Sequence, residues 1–194
     1  MTRYSPATAL IVVDCQNDFS DPGGSLYVAG GEDTIAFINR ESADARDSGG
    51  FVVYTQDWHP ESTPHFAKDG GIWPTQCVAD TWGAKFHPDL DVVGPVVQKG
   101  TGGEDGYSGF TVRNPETGEE TPTGLADILE ERSIGRVFVV GLATDYCVKA
   151  TALDAAHGGF SPAVLADGIR PVNLSPGDGA RAVAEMVAGG VLIA

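Results

Sequence analysis

The chain has 194 residues and carries 12 basic against 27 acidic side chains, a formal net charge of -15. An excess of acid on this scale repels phosphate backbones and anionic lipid surfaces, which argues against nucleic-acid and membrane partners. The length suits one compact domain, residues 1–194, with room for a substantial core.

The first apolar run, Ala9 to Val13, leads straight into Asp14, unlike a secretory leader. No apolar stretch approaches the ~20 residues of a membrane helix. Three cysteines, Cys15, Cys77 and Cys147, are too few and odd in number for a disulfide framework. A reducing, cytoplasmic setting with free thiols is expected.

Further short runs follow at Phe51–Tyr54, Val96–Val97, Val137–Val140, Ala163–Leu165 and Val191–Ile193. They are near-continuous in apolar residues, which is how strands buried on both faces of a parallel sheet read. Helical spacing falls between them: Ile35 with Ile38, then Leu125, Ile128 and Leu129, then the small-residue face Val148, Thr151, Ala152, Ala155, Ala156. The last helix carries Ala180, Val183, Ala184 and Val187, with Ser175 as the expected N-cap, Pro176 in the first turn and Gly189 at the end. Strands alternating with helices predict an α/β fold, a three-layer α/β/α sandwich around a mainly parallel sheet. Two long loop-like stretches interrupt the pattern, Asp57 to Gly94 and Gly100 to Thr123. Loops of that length in a compact domain are usually functional.

Ligands of open α/β sheets bind beyond the carboxyl ends of the strands. Four chemically capable residues stand there: Asp14 after the first strand, Asp57 at the end of the second, Lys99 at the end of the third, and Cys147 after the fourth, at the expected start of a helix. A thiol at a helix start, with an ammonium beside it, is drawn toward thiolate, and a carboxylate can accept its proton. The Ala143-to-Cys147 turn offers backbone N–H groups for an oxyanion. Cys15, next to Asp14, reads as core, and Cys77 has no nameable partner.

Asp57, His59 and His65 offer three ligands for a first-row metal such as Zn, Fe or Mn. Spacing alone serves a capped turn with two solvent-facing histidines equally well. Phe19, Trp73 and Tyr107 can wall a pocket for a flat ring or pack loops onto the sheet. His87 and His157 read as structural or exposed, and the acidic turns at Glu104-Asp105 and Glu119-Glu120 as solvated surface.

Several separated segments together resemble the nicotinamidase branch of the isochorismatase-like cysteine hydrolases. They are Ala9-Leu10-Ile11-Val12-Val13-Asp14-Cys15-Gln16-Asn17-Asp18-Phe19 with Gly23-Gly24-Ser25-Leu26; Asp57-Trp58-His59-Pro60 with His65-Phe66; Trp73-Pro74 before Cys77-Val78; Lys99-Gly100; Tyr107-Ser108-Gly109-Phe110; and Gly141-Leu142-Ala143-Thr144-Asp145-Tyr146-Cys147-Val148. The resemblance implies a catalytic triad of Asp14, Lys99 and Cys147, and an oxyanion held by the backbone N–H groups of Ala143 and Cys147 after a cis peptide. It implies a divalent metal on Asp57, His59 and His65 that binds a pyridine nitrogen, and ring contacts from Phe19, Leu26, Trp73 and Tyr107. The implied reaction hydrolyses nicotinamide, with pyrazinamide as an analogue, to the acid and ammonia through a thioester, in NAD salvage. Triad-sharing relatives that act on maleamate, N-carbamoyl amines or ureidoacrylate generally lack the metal loop, and an inactive binding relative would not need the triad.

Two departures stand out. Gln76 occupies the place where the family often has a fourth metal-binding His, and Tyr146 stands where members can have His. An amide oxygen is a weaker donor than imidazole for these metals, so a looser site, or a three-residue site completed by water, is expected, with room for an altered metal preference. The sequence leaves open assembly into a homo-oligomer.

Overall fold

The computed structural model describes residues 3–194. Six strands form one sheet in the order β3-β2-β1-β6-β7-β8: β1 (Thr8–Val13), β2 (Phe51–Asp57), β3 (Val96–Lys99), β6 (Arg136–Leu142), β7 (Ser161–Arg170) and β8 (Leu192–Ile193). Every neighbouring pair in it is parallel. The near-continuous apolar runs have a direct cause. Along β1, Ala9, Ile11 and Val13 enter one core while Leu10 and Val12 enter the other. Both faces are covered, so neither phase of the strand can be polar.

Helix α2 (Glu32–Asp47) sends Ile35, Ile38 and Ala45 into the second core. Helices α3 (Leu125–Glu130), α4 (Lys149–His157) and α5 (Asp178–Ala188) supply Leu125, Leu129, Ala152, Ala155 and Met186 to the first. The chain fills β1, β2 and β3 outward in one direction, then returns to the other side of β1 to build β6, β7 and β8. Right-handed crossovers place the helices of the two halves on opposite faces. That reversal opens a crevice between β1 and β6 at their carboxyl ends.

Two local expectations need correction, and one short element was not foreseen. Helix α5 starts at Asp178, because Gly177 takes a left-handed conformation (φ +85°). Ser175 is not its cap; its backbone N–H instead donates to Asp178 Oδ2 at 2.6 Å. The stretch from Gly100 to Thr123 contains an antiparallel hairpin of β4 (Thr111–Arg113) and β5 (Glu120–Pro122). Asn17–Ser20 forms a single helical turn, α1.

Gly141 in β6 meets a demand that no side chain can. Its φ is +113°, and a Cβ there would lie 2.0 Å from the Val13 carbonyl oxygen. The close approach of β1 and β6 at the crevice therefore requires glycine.

Candidate active site

Parallel pairing fixes the rim before any side chain is considered. Asp57 of β2 and Lys99 of β3 are register partners, and Val13, just before Asp14, pairs with Gly141 of β6. Asp14 leaves β1 with φ +48°, an uncommon conformation for a non-glycine residue and one that recurs at working sites. Lys99 Nζ stands 2.8 Å from Asp14 Oδ2, is ion-paired with Asp57 Oδ1, and lies 3.8 Å from Cys147 Sγ. Asp14 Oδ1 accepts the Thr55 hydroxyl at 2.7 Å. Lys99 is 1% exposed and Asp14 0%, so this ion network is cut off from bulk water.

Burial sets the electrostatics of the group. It pushes the Asp14 carboxyl up, against the opposing pull of Lys99. Burial alone would lower Lys99, but Asp14 and Asp57 outweigh it and hold the ammonium charged. Burial also pushes Asp57 up, yet Lys99 and His59 hold it below the usual carboxylate range. The Cys147 thiol is pushed well up by burial; Lys99 pulls back, and the two carboxylates add to the rise.

One expectation about the position of Cys147 changes. Cys147 does not open an α-helix but sits inside a π-turn, Thr144–Val148, ahead of α4. Desolvation and the two buried carboxylates push the Cys147 thiol up against the pull of one ammonium. Thiolate formation is thereby tied to handing the proton to a neighbour, and Asp14 is the acceptor at hand.

Potential ligand atoms of Asp14, Asp57 and Cys147 lie within 4.8 Å of one another. Lys99 supplies the positive charge shared by both carboxylates there. The histidines expected to bind a metal lie on the other side of Asp57. Its Oδ2 stands 3.8 Å from His59 Nε2, too far for a hydrogen bond. That spacing is near the ~3.4 Å expected of two donors on one tetrahedral ion with bonds of about 2.1 Å. The His59 and His65 rings stack at 4.9 Å, and His65 and Gln76 line the same cleft as Asp57. Both ring nitrogens of His59 and Oε1 of Gln76 are buried without a hydrogen-bond partner. Orphaned buried donors of this kind are costly unless something binds them. The donor set is therefore suited to a divalent first-row ion.

Cys147 lines a cleft walled by Phe19, Leu26, Trp73, Tyr107 and Tyr146. Trp73 Nε1 donates to the Tyr107 hydroxyl at 3.0 Å, and the Trp73 and Tyr146 rings meet edge to face at 4.8 Å. The Leu142–Ala143 peptide is cis.

Cys15 lies in the second core and Cys77 is fully buried. His157 is exposed. His87 is half-buried, and its Nδ1 accepts the Asp89 backbone N–H at 3.2 Å.

Sequence reasoning missed three carboxylates. Asp18 accepts the backbone N–H groups of Cys77 (2.7 Å) and Ser25 (3.0 Å), bracing the Gln76 loop against the Leu26 loop. Asp145 accepts those of Val172 (2.9 Å) and Asn173 (2.8 Å) and so holds Val172 in the cleft wall. Asp105, expected on a solvated turn, is instead 2.8 Å from His65 Nδ1 and 2.7 Å from Arg113. No local pattern marks these residues, since each partner is distant in the chain or is plain backbone.

The three-layer α/β sandwich, together with its likeness to nicotinamidases, makes this chain a hydrolase that acts on amide C–N bonds. Residues 8–193 match the Isochorismatase domain. The chain belongs to the isochorismatase family. It is 38% identical to the nicotinamidase of Escherichia coli (strain K12), covering 97% of this chain and 94% of that one. The pyrazinamidase of Pyrococcus horikoshii in complex with zinc superposes with a TM-score of 0.85 at 40% identity, covering 97% and 99% of the two chains. PnC1 from L. infantum in complex with nicotinate superposes with a TM-score of 0.89 at 38% identity, covering 98% and 94%.

Proposed function

We propose that the chain, read as one domain over 1–194, is a nicotinamidase that hydrolyses nicotinamide to nicotinate and ammonia. The observation that carries this reading is the buried Asp14–Lys99–Cys147 network at the floor of an aromatic cleft, with Lys99 Nζ 3.8 Å from Cys147 Sγ. Likeness to a nicotinamidase, a pyrazinamidase and a nicotinate complex supports the choice of substrate.

Nicotinamide would lie between Phe19 and Trp73 with its carboxamide over Cys147. Asp14 takes the thiol proton as Sγ bonds to the carboxamide carbon, and the oxyanion rests on the backbone N–H groups of Ala143 and Cys147. The C–N bond breaks, Asp14 returns the proton, and ammonia leaves a thioester. Asp14 then takes a proton from water, whose oxygen adds to the thioester carbon. The C–S bond breaks, the Asp14 proton returns to Cys147, and the acid departs and loses its remaining proton to solvent as nicotinate. Lys99 keeps Asp14 and Asp57 compatible in one buried site throughout.

Asp57, His59, His65 and Gln76 would hold one divalent ion, Zn, Fe or Mn. When bound, that ion supplies a Lewis acid for the pyridine nitrogen, orienting the ring and drawing electron density from the amide.

Among the described residues, no helix is long and apolar enough to cross a membrane. All three thiols are free, in keeping with a cytoplasmic enzyme.

Ammonia release from a panel of amides tests the reading. Nicotinamide and pyrazinamide should react, maleamate and ureidoacrylate should not, and Cys147→Ala should abolish turnover while still binding nicotinamide. Preference for maleamate would move the chain to the aliphatic amidohydrolases. Full activity of Cys147→Ala would end the thioester mechanism.

A further inference from the structure

His65 reaches the site from a loop with no regular strand or helix of its own, so something must hold its ring. The Asp105 carboxylate does so from 40 residues away: Oδ1 meets His65 Nδ1 at 2.8 Å. Asp105 is itself held from several directions. Its Oδ2 accepts Arg113 at 2.7 Å and its Oδ1 the Gly106 N–H at 2.8 Å. Its backbone exchanges two bonds with Arg113 at the foot of the β4–β5 hairpin, at 2.8 and 2.6 Å. A residue locked this firmly is a scaffold for what it touches. An ionised carboxylate can only accept, so Nδ1 of His65 must carry the proton. The lone pair is then confined to Nε2, the nitrogen able to bind a cation. A carboxylate behind a ligating imidazole also makes it a better donor.

We propose that Asp105 is a positioning residue for the metal, fixing the tautomer and ring direction of His65 from behind. The inference rests on the reading of His65 as a ligand. It also ties the ion to the substrate wall, because Tyr107, two residues on, receives the Trp73 hydrogen bond and packs near His65, with ring centroids 6.2 Å apart. The β4–β5 hairpin thus braces the metal loop and the ring slot through one short segment.

The test uses the intact protein, with zinc as the probe. With only four histidines, long-range ¹H–¹⁵N correlation spectra can assign the His65 tautomer. Wild type should show the Nδ1–H form, and Asp105→Asn and Asp105→Ala a mixture. Zinc affinity, read by chelator competition, should fall about 10- to 100-fold in Asp105→Ala and less in Asp105→Asn, whose amide oxygen can still accept. Should Asp105→Ala fail to fold, the tautomer and affinity of Asp105→Asn decide.

Unchanged zinc affinity in Asp105→Ala, alongside a loss in His65→Ala, overturns the proposal and leaves the metal reading standing. A loss of affinity with the Nδ1–H form retained assigns the effect to loop structure and also overturns it. Unchanged affinity in His65→Ala removes His65 as a ligand, and the proposal with it.

Discussion

Asp57 and Lys99, side by side in β2 and β3, form an ion pair with almost no contact with solvent. The pair stands between two working parts. One oxygen of Asp57 binds the ammonium that also holds Asp14, and the other faces His59. Two carboxylates share one lysine, so the buried cluster is one positive charge short of neutral. A cation on the His59 side would correct that imbalance.

Removing the lysine should be severe for stability as well as activity. Lys99→Ala leaves Asp14 and Asp57 buried without their shared counter-charge, a defect that typically costs about 3–5 kcal/mol. Urea unfolding at neutral pH should show a loss of that order, together with no detectable ammonia release. A variant as stable as wild type would show that the carboxylates find other partners.

The raised thiol sets a pH dependence. Thiolate is the reacting form, and its fraction rises tenfold per pH unit below the group's pKa. Because Cys147 is pushed well above an ordinary thiol, inactivation of the substrate-free enzyme by iodoacetamide should keep accelerating past pH 9. A plateau below pH 8 would mean that Lys99 wins and the resting group is thiolate. Cys147→Ala provides the background from Cys15 and Cys77.

At Gln76 the donor type is open to direct test. Metal content after purification should show weaker zinc retention in wild type than in Gln76→His, since imidazole is the better donor. Equal affinity and equal metal identity in the two proteins would show that residue 76 is not a ligand.

Gly141→Ala should unfold early. A methyl at position 141 would strike the Val13 carbonyl at 2.0 Å, on a backbone with φ +113°. Strained backbone alone costs about 1–3 kcal/mol, and separating β1 from β6 adds to it. Thermal unfolding should fall by well over the few degrees of a surface substitution, and activity should fall with it as the rim opens.

The central sheet was legible because both of its faces are buried. Alternating destinations in two cores leave runs such as Leu10-Ile11-Val12 with no polar phase, and that signal survives in a single sequence. Asp14, Asp57 and Lys99 were legible for the same reason, as the first charged residues after apolar strands. The β4–β5 hairpin was not, since its residues are exposed or half-buried and carry little hydrophobic pattern. Asp105 was misread because an acidic turn looks the same whether it meets water or a histidine 40 residues away. The start of α5 was misplaced because Pro176 is a good first-turn residue, while Gly177, next to it, takes the left-handed conformation that delays the helix.

The pairing of Asp57 with Lys99 across two parallel strands has one more consequence. The whole of 58–95 hangs between these two residues like a handle between two rivets. It carries His59, His65, Trp73 and Gln76, and it is tied back to the exit of β1 where the Cys77 N–H donates to Asp18 and the Gln16 amide donates to the Ala84 carbonyl. A graft made to change amide specificity would therefore have to keep those ties, or lose the ring slot and the His59 side of Asp57 together.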